Sequence, residues 1–282
     1  MLDASRSRAL IVLGFALAVA AGCSPSQPPT PPPSGVGGQR AAGESATDGG
    51  ASATGAPSAE LTILCGGSFR EPMEQLVAQY EEKTGGKAVL SFGQSEDHLP
   101  KVKMKAAGDL FVSHDPYVQY TVDAGAMRRW VQVGYVAPVL VVGKGNPRKI
   151  AKIEDLAQPD LKVVLPNPEY STCGEMVFKL LEKKGIKEAV LGNVGNALVR
   201  SHSEVATPIA LGHREAGIMW NGVAHNWLGK LDIVPAPYEY DDEVRVGIMG
   251  LSYSKHPAEV EAFLKFAEEH GPKVFEEFGY VK

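Results

Sequence analysis

The chain has 282 residues, 44% of them hydrophobic and 22% charged, with a formal net charge of -5. This mildly acidic balance gives no support for a nucleic-acid partner, which would want a basic face. Beyond the N-terminal stretch, no apolar run is long enough to cross a bilayer.

Arg6 and Arg8 precede an apolar run at positions 9–21 (ALIVLGFALAVAA), and Gly22 and Cys23 close it with small residues. That is the pattern of an export signal. The ending Ala20-Ala21-Gly22-Cys23 resembles a bacterial lipobox, with Ala20 where leucine is usual. The resemblance implies a signal peptide over 1–22 and an acylated Cys23 as the mature N-terminus. Residues 23–59 then read as a tether, dominated by Ser, Pro, Gly, Ala and Thr, with a proline cluster at 28–33. Such a composition buries too little apolar surface to offset its ordering entropy. The proline part is expected to be extended and the Gly/Ser part flexible. Residues 60–282 remain as the folded unit, enough for a sizeable core in one domain or two lobes.

Within that unit, Leu61-Thr62-Ile63-Leu64 predicts a strand and Cys65-Gly66-Gly67-Ser68 a turn. From Glu71, the apolar positions Met73, Leu76, Val77 and Tyr80 predict a helix that ends at Thr84-Gly85-Gly86. A strand over 88–92 leads through Gly93-Gln94-Ser95 into another helix, and 109–112 (DLFV) predicts a third strand. The second half repeats the theme, with strands at 139–142, 162–165, 216–220 and 232–234. A loop spans 167–174, and helices are expected over 176–184, 257–270 and 274–278. Gly143-Lys144-Gly145-Asn146-Pro147 is a turn, since a phosphate-binding P-loop needs a different spacing and a Ser or Thr. Alternating strands and helices predict an α/β fold with a largely parallel sheet.

Seven stretches, ILCGGSF, VLSFGQSEDH, GDLFVSHD, VLVVGKGNP, NPEYSTCGE, EAGIMW and EFGY, follow one another in the order of a known family. From Leu61 onwards the chain resembles the molybdate-binding family of periplasmic solute-binding proteins. The resemblance implies a type II periplasmic-binding fold: two α/β lobes joined by two crossover strands, with a ligand closed between them. The first lobe would take about 60–135 and 238–282, and the second about 136–237.

Ligands in open α/β sheets sit beyond the carboxyl ends of strands, where helices begin. Four junctions fit: Gly66-Gly67-Ser68, Gly93-Gln94-Ser95, Ser171-Thr172-Cys173-Gly174, and 201–205. Helix starts offer free N–H groups and a positive dipole end, so several converging ones form an anion site without a lysine or arginine. The resemblance makes Ser68 and Ser95 hydroxyl donors from the first lobe. Cys173 and Val205 would offer backbone N–H groups from the second. Trp220 stands where the family commonly has a tyrosine, and its N–H can donate but not accept. Thr172-Cys173 departs from the family's usual Pro-Ala pair. Asp115 matches a family aspartate and reads as structural.

These features predict a lipid-anchored receptor in a bacterial cell envelope, facing the periplasm or the exterior. It would be monomeric, would need no cofactor and would perform no catalysis. It would capture a tetrahedral oxyanion, molybdate or tungstate first, for the permease of an ABC importer. The alternative is a transition-metal site drawn from Glu96, Asp97, His98, Glu175, His202 and Glu204. Glu175 is also the nearest carboxylate that could join the coordination of an oxyanion's metal centre. Cys65 and Cys173, read as free thiols near the cleft in opposite lobes, would suit a soft ligand such as arsenite. Pairing Cys173 with His98 or His202 for nucleophilic catalysis has no support in the spacing.

Overall fold

The computed structural model describes residues 59–282; the signal segment, Cys23 and the tether before Ala59 lie outside them. The first apolar run forms β1 (Glu60–Gly66), in which Leu61, Ile63 and Cys65 are fully buried. A 3-10 turn, Gly67–Phe69, leads into α1 (Arg70–Thr84), which buries Met73, Leu76, Val77 and Tyr80. Then follow β2 (Lys87–Gly93), α2 (Ser95–Lys103), β3 (Leu110–His114), α3 (Tyr117–Asp123) and β4 (Met127–Val136). Ala137 alone separates β4 from β5 (Pro138–Gly143). Next come β6 (Val163–Pro166), α4 (Thr172–Lys183), α5 (Lys187–Val194), β7 (Leu198–Val199) and α6 (His202–Ala210). The chain ends with β8 (Ala216–Trp220), α7 (Asn221–His225), β9 (Leu231–Ile233), β10 (Val244–Leu251) and α8 (Pro257–Glu277).

Two five-stranded sheets result, in the orders β2-β1-β3-β10-β4 and β7-β6-β8-β5-β9. In the first, β1 is parallel to β2 and β3, while β10 runs antiparallel to β3 and β4. In the second, β6 is parallel to β7 and β8, while β5 runs antiparallel to β8 and β9. The expectation of a largely parallel sheet is therefore corrected to two mixed ones. A βαβ crossover within one sheet makes its strands parallel. β10 arrives instead from the other sheet, after residues 234–243, and is free of that constraint. The chain passes between the sheets twice, at Ala137 and over 234–243, which gives two α/β lobes with a cleft between them.

Three strands escaped the sequence reading: β4, the two-residue β7 and β10. β4 is half-exposed and carries Arg128, Arg129 and Gln132. β10 contains Gly247 and Gly250, which weaken any strand signal. Their place in the fold explains them. A Cβ on Gly247 would lie 2.8 Å from the Trp130 ring, and one on Gly250 would lie 2.8 Å from Leu264. The two predicted C-terminal helices are one 21-residue helix that contains Pro272. A proline inside a helix costs about 3 kcal/mol. The face of Phe263, Leu264, Phe266, Val274 and Phe275 is buried, and each such side chain contributes roughly 1.5–3 kcal/mol. Burial on both sides of the proline outweighs its cost.

Asn221 fastens the first crossing. Its Oδ1 accepts from the Ala137 amide at 3.1 Å, and its Nδ2 donates to the carbonyls of Tyr135 and Val281. Tyr280 sits beside it, fully buried, with its ring against Gly222, where a Cβ would lie 2.2 Å from Tyr280 Cζ. The Tyr280 hydroxyl donates to the Ser68 carbonyl, so the chain end holds the turn that follows β1. Among the described residues no helix is long and apolar enough to cross a membrane.

Candidate functional site

A small cavity of about 20 Å³ lies where the strand ends of both lobes meet. By this measure a single water needs about 10–15 Å³, so the space suits a compact ion rather than an organic solute. From the first lobe it is lined by Gly66 to Phe69, by Gln94 to Glu96 and by His114. From the second it is lined by Tyr170 to Thr172, Arg200, His202 and Trp220.

Local sequence explains each wall. Ser95 is the first residue of α2, behind Gln94, and is 7% exposed. The Gln94 side chain at the cap makes no cap hydrogen bond, and the Ser95 Oγ accepts from Ser113 Oγ at 2.8 Å. Ser171 caps α4 through the Gly174 amide. Ser201 and Glu204 form a reciprocal capping box on α6. The remaining first-turn amides of these helices have no acceptor within their own helix.

Among the residues singled out from sequence, Ser68, Ser95 and Trp220 line the cavity. Cys173 and Val205 do not: both side chains are fully buried in the core, at the second and fourth positions of their helices. Glu175 is exposed on α4 and takes no part in the lining. Asp115 accepts from the Arg245 guanidinium at 2.8 and 3.1 Å, joining the end of β3 to β10.

The transition-metal set does not assemble. Among the described residues, no three His, Cys, Asp or Glu side chains gather as a metal site. His98 turns inward, 2% exposed, and packs edge-on to Phe111 at 6.3 Å. Burial holds its pKa below the usual histidine range. Cys65 and Cys173 are free and fully buried, and desolvation pushes both thiols well up. Neither lines the cavity, which removes the thiol chemistry that a soft ligand would use.

Three lining residues carry chemistry that the sequence reading did not assign to this role. Arg200 supplies the cation: it donates to Asp97 of α2 at 3.1 Å and lies over the Tyr170 ring at 5.1 Å. His114 and His202 flank Trp220 at 5.5 and 5.6 Å between ring centroids. His114 Nδ1 lies 2.6 Å from the Asp115 carbonyl and donates to it, and burial lowers its pKa. The His202 pKa is lowered to about 3, by burial first and then by His114. Burial disfavours the charged form of both rings. From sequence, His202 stood in the fourth junction beside the capping serine and was weighed only as a metal ligand or a catalytic base.

Two α/β lobes, two crossings and a small polar cavity between strand ends define a solute-binding protein of the type II periplasmic fold. The chain belongs to the bacterial extracellular solute-binding protein family, whose model matches residues 61–281. It is 23% identical over 228 residues to a putative binding protein of Haemophilus influenzae, covering 79% of this chain and 91% of that one. It is 24% identical over 227 residues to the molybdate-binding protein ModA of Mycobacterium tuberculosis, covering 79% and 84%. Among solved structures, the substrate-binding domain of a putative molybdenum ABC transporter from Clostridium difficile aligns with a TM-score of 0.62 at 20% identity, covering 79% and 98%. The sulfate-binding protein SubI of M. tuberculosis aligns at 0.63 and 20%, covering 78% and 86%. Iron-bound HitA of Pseudomonas aeruginosa aligns at 0.61 and 17%, covering 77% and 84%.

Proposed function

We propose that this protein is the receptor of an ABC importer for a tetrahedral oxyanion, molybdate or tungstate first. The observation that carries the reading is the convergence of four helix-entry segments on one compact cavity that also holds a single guanidinium. Helix starts and hydroxyls favour a small anion, and their dipoles add to the charge of Arg200. Similarity to ModA of M. tuberculosis supports the choice among anions.

In this reading the hydroxyls of Ser68 and Ser95 and the Trp220 N–H donate to the ligand. Backbone amides at Cys173 and Val205 serve from the second lobe while their side chains stay in the core. Acylation at Cys23 holds the protein at a bacterial membrane, and residues 24–59 let the monomeric binding unit reach the permease. The iron-bound likeness in fold does not bring a metal reading with it, because among the described residues no three His, Cys, Asp or Glu side chains gather as a metal site.

The test is a thermal-shift panel on the purified full chain with molybdate, tungstate, sulfate, phosphate and divalent metals. A ligand at a hundred times its Kd stabilises by about 2.7 kcal/mol. Stabilisation by tungstate and molybdate above the other anions is expected; stabilisation by a metal alone overturns the reading.

A further inference from the structure

A second cavity, of about 390 Å³, lies at the crossings between the lobes and shares no lining residue with the oxyanion site. Ala137 of the first crossing lines it, and so do Val234 and residues 236–240 of the second. Small-molecule sites measure about 300–1,000 Å³, so the space takes an organic molecule rather than a compact ion. Its floor is apolar: Leu140, Ile153, Leu180 and Ile218, all buried, line it from the second lobe. Burying a charge against such a floor is costly unless a partner waits for it.

The charged groups on the walls already have partners. Glu239 accepts from Lys184 at 2.7 Å, and Lys282 donates to Glu243 at 2.6 Å. Asn221 uses its amide on the first crossing and the Val281 carbonyl, and the Tyr238 hydroxyl donates to the Asp242 carbonyl. What remains for a ligand is the apolar floor, the His225 ring, and the rings of Tyr238 and Tyr240, edge to face with centroids 5.4 Å apart. Aromatic rings favour further rings in offset or edge-on contact.

We infer that this cavity is a binding site for an uncharged, ring-bearing organic molecule, whose occupancy tightens the oxyanion site; the second clause rests on the oxyanion reading above. The coupling follows from the walls. A change in the angle between two lobes is absorbed by the segments that join them. A molecule in contact with both crossings is therefore held best in one setting of the hinge. The cavity is present in the same arrangement in which Arg200 reaches across the cleft to Asp97. Its occupant favours that arrangement, which encloses the oxyanion, and by reciprocity the oxyanion favours the occupant.

The probe is 1-naphthol at about pH 7, where a phenolic hydroxyl is uncharged. Calorimetric titration of the full chain is expected to show one saturable site. Ala236→Trp and Val281→Trp each introduce an indole at an exposed lining position and are expected to weaken naphthol binding by about tenfold or more. Circular dichroism confirms that each variant is folded. In saturating naphthol the wild-type Kd for tungstate is expected to fall about fivefold or more, the lower end of ordinary coupling between sites. Failure of the wild type to bind naphthol saturably, or undiminished binding by the folded variants, overturns the site. Naphthol binding that the variants lose, with an unchanged tungstate Kd in the wild type, overturns the coupling. A chain that binds naphthol but no tungstate overturns the oxyanion reading and the coupling, and leaves the site standing.

Discussion

The Arg200 guanidinium donates to the Asp97 carboxylate at 3.1 Å, joining the segment before α6 to the first turn of α2 across the cleft. The two side chains are 49% and 58% exposed, so as an ion pair they contribute at most about 1 kcal/mol. Their positions differ, because Arg200 lines the cavity and Asp97 does not. Arg200→Ala is therefore expected to weaken tungstate binding tenfold or more, about 1.4 kcal/mol. Asp97→Ala frees the guanidinium and is expected to change affinity by no more than about threefold. Calorimetry on both variants decides; equal losses would show that the pair acts only as a latch.

Ser95→Asp tests the anion site by charge. Ser95 is the first residue of α2, where a carboxylate suits the helix dipole, so the fold is expected to survive. A carboxylate about 4 Å from a unit charge, at an effective dielectric near 20, interacts by roughly 4 kcal/mol. Tungstate affinity should fall by at least about a thousandfold. Circular dichroism confirms folding and calorimetry reads the loss; undiminished binding removes Ser95 from the site.

Trp220 is 1% exposed at the cavity wall, with the rings of His114 and His202 packed near it. Tungstate should change the intrinsic fluorescence saturably, and Trp220→Phe should abolish most of the change. Trp130 and Trp227 remain in that variant as internal controls. A response that survives the substitution places the reporting tryptophan elsewhere.

Tyr280 supports the turn that carries Ser68. Tyr280→Phe keeps the ring and leaves the Ser68 carbonyl without its donor, a cost of about 1–3 kcal/mol. Gly222→Ala adds a methyl that would sit 2.2 Å from Tyr280 Cζ, and overpacking of that kind costs about 1–3 kcal/mol. Both variants should show lower urea midpoints with unchanged m-values and weaker tungstate binding. A Tyr280→Phe variant as stable and as tight-binding as wild type contradicts the supporting role.

Cys23→Ala addresses the anchor. The variant is expected to leave the membrane fraction in a bacterial host while binding tungstate as before. Retention of the variant on membranes after a carbonate wash rejects acylation at this cysteine.

Local chemistry alone determined much of this protein. The apolar run of β1, the helical spacing of Met73, Leu76, Val77 and Tyr80, and the small and hydroxyl residues at four helix entries are short-range signals. They identified the α/β class and marked Ser68 and Ser95 at helix entries; the family resemblance added Trp220, and all three line one cavity. The tertiary structure decided what depends on distant pairing. β10 was hidden because Gly247 and Gly250 carry no strand signal; they are needed only where Trp130 and Leu264 press on them. Arg200 and His202 read locally as a loop cation and a helix-start histidine. They become cavity groups only because the chain crosses twice between the sheets and brings them opposite Glu96 and His114, far away in sequence. Periodicity reports which face of an element is buried, but not which distant element buries it. The chemistry of this cleft is set by that second relation.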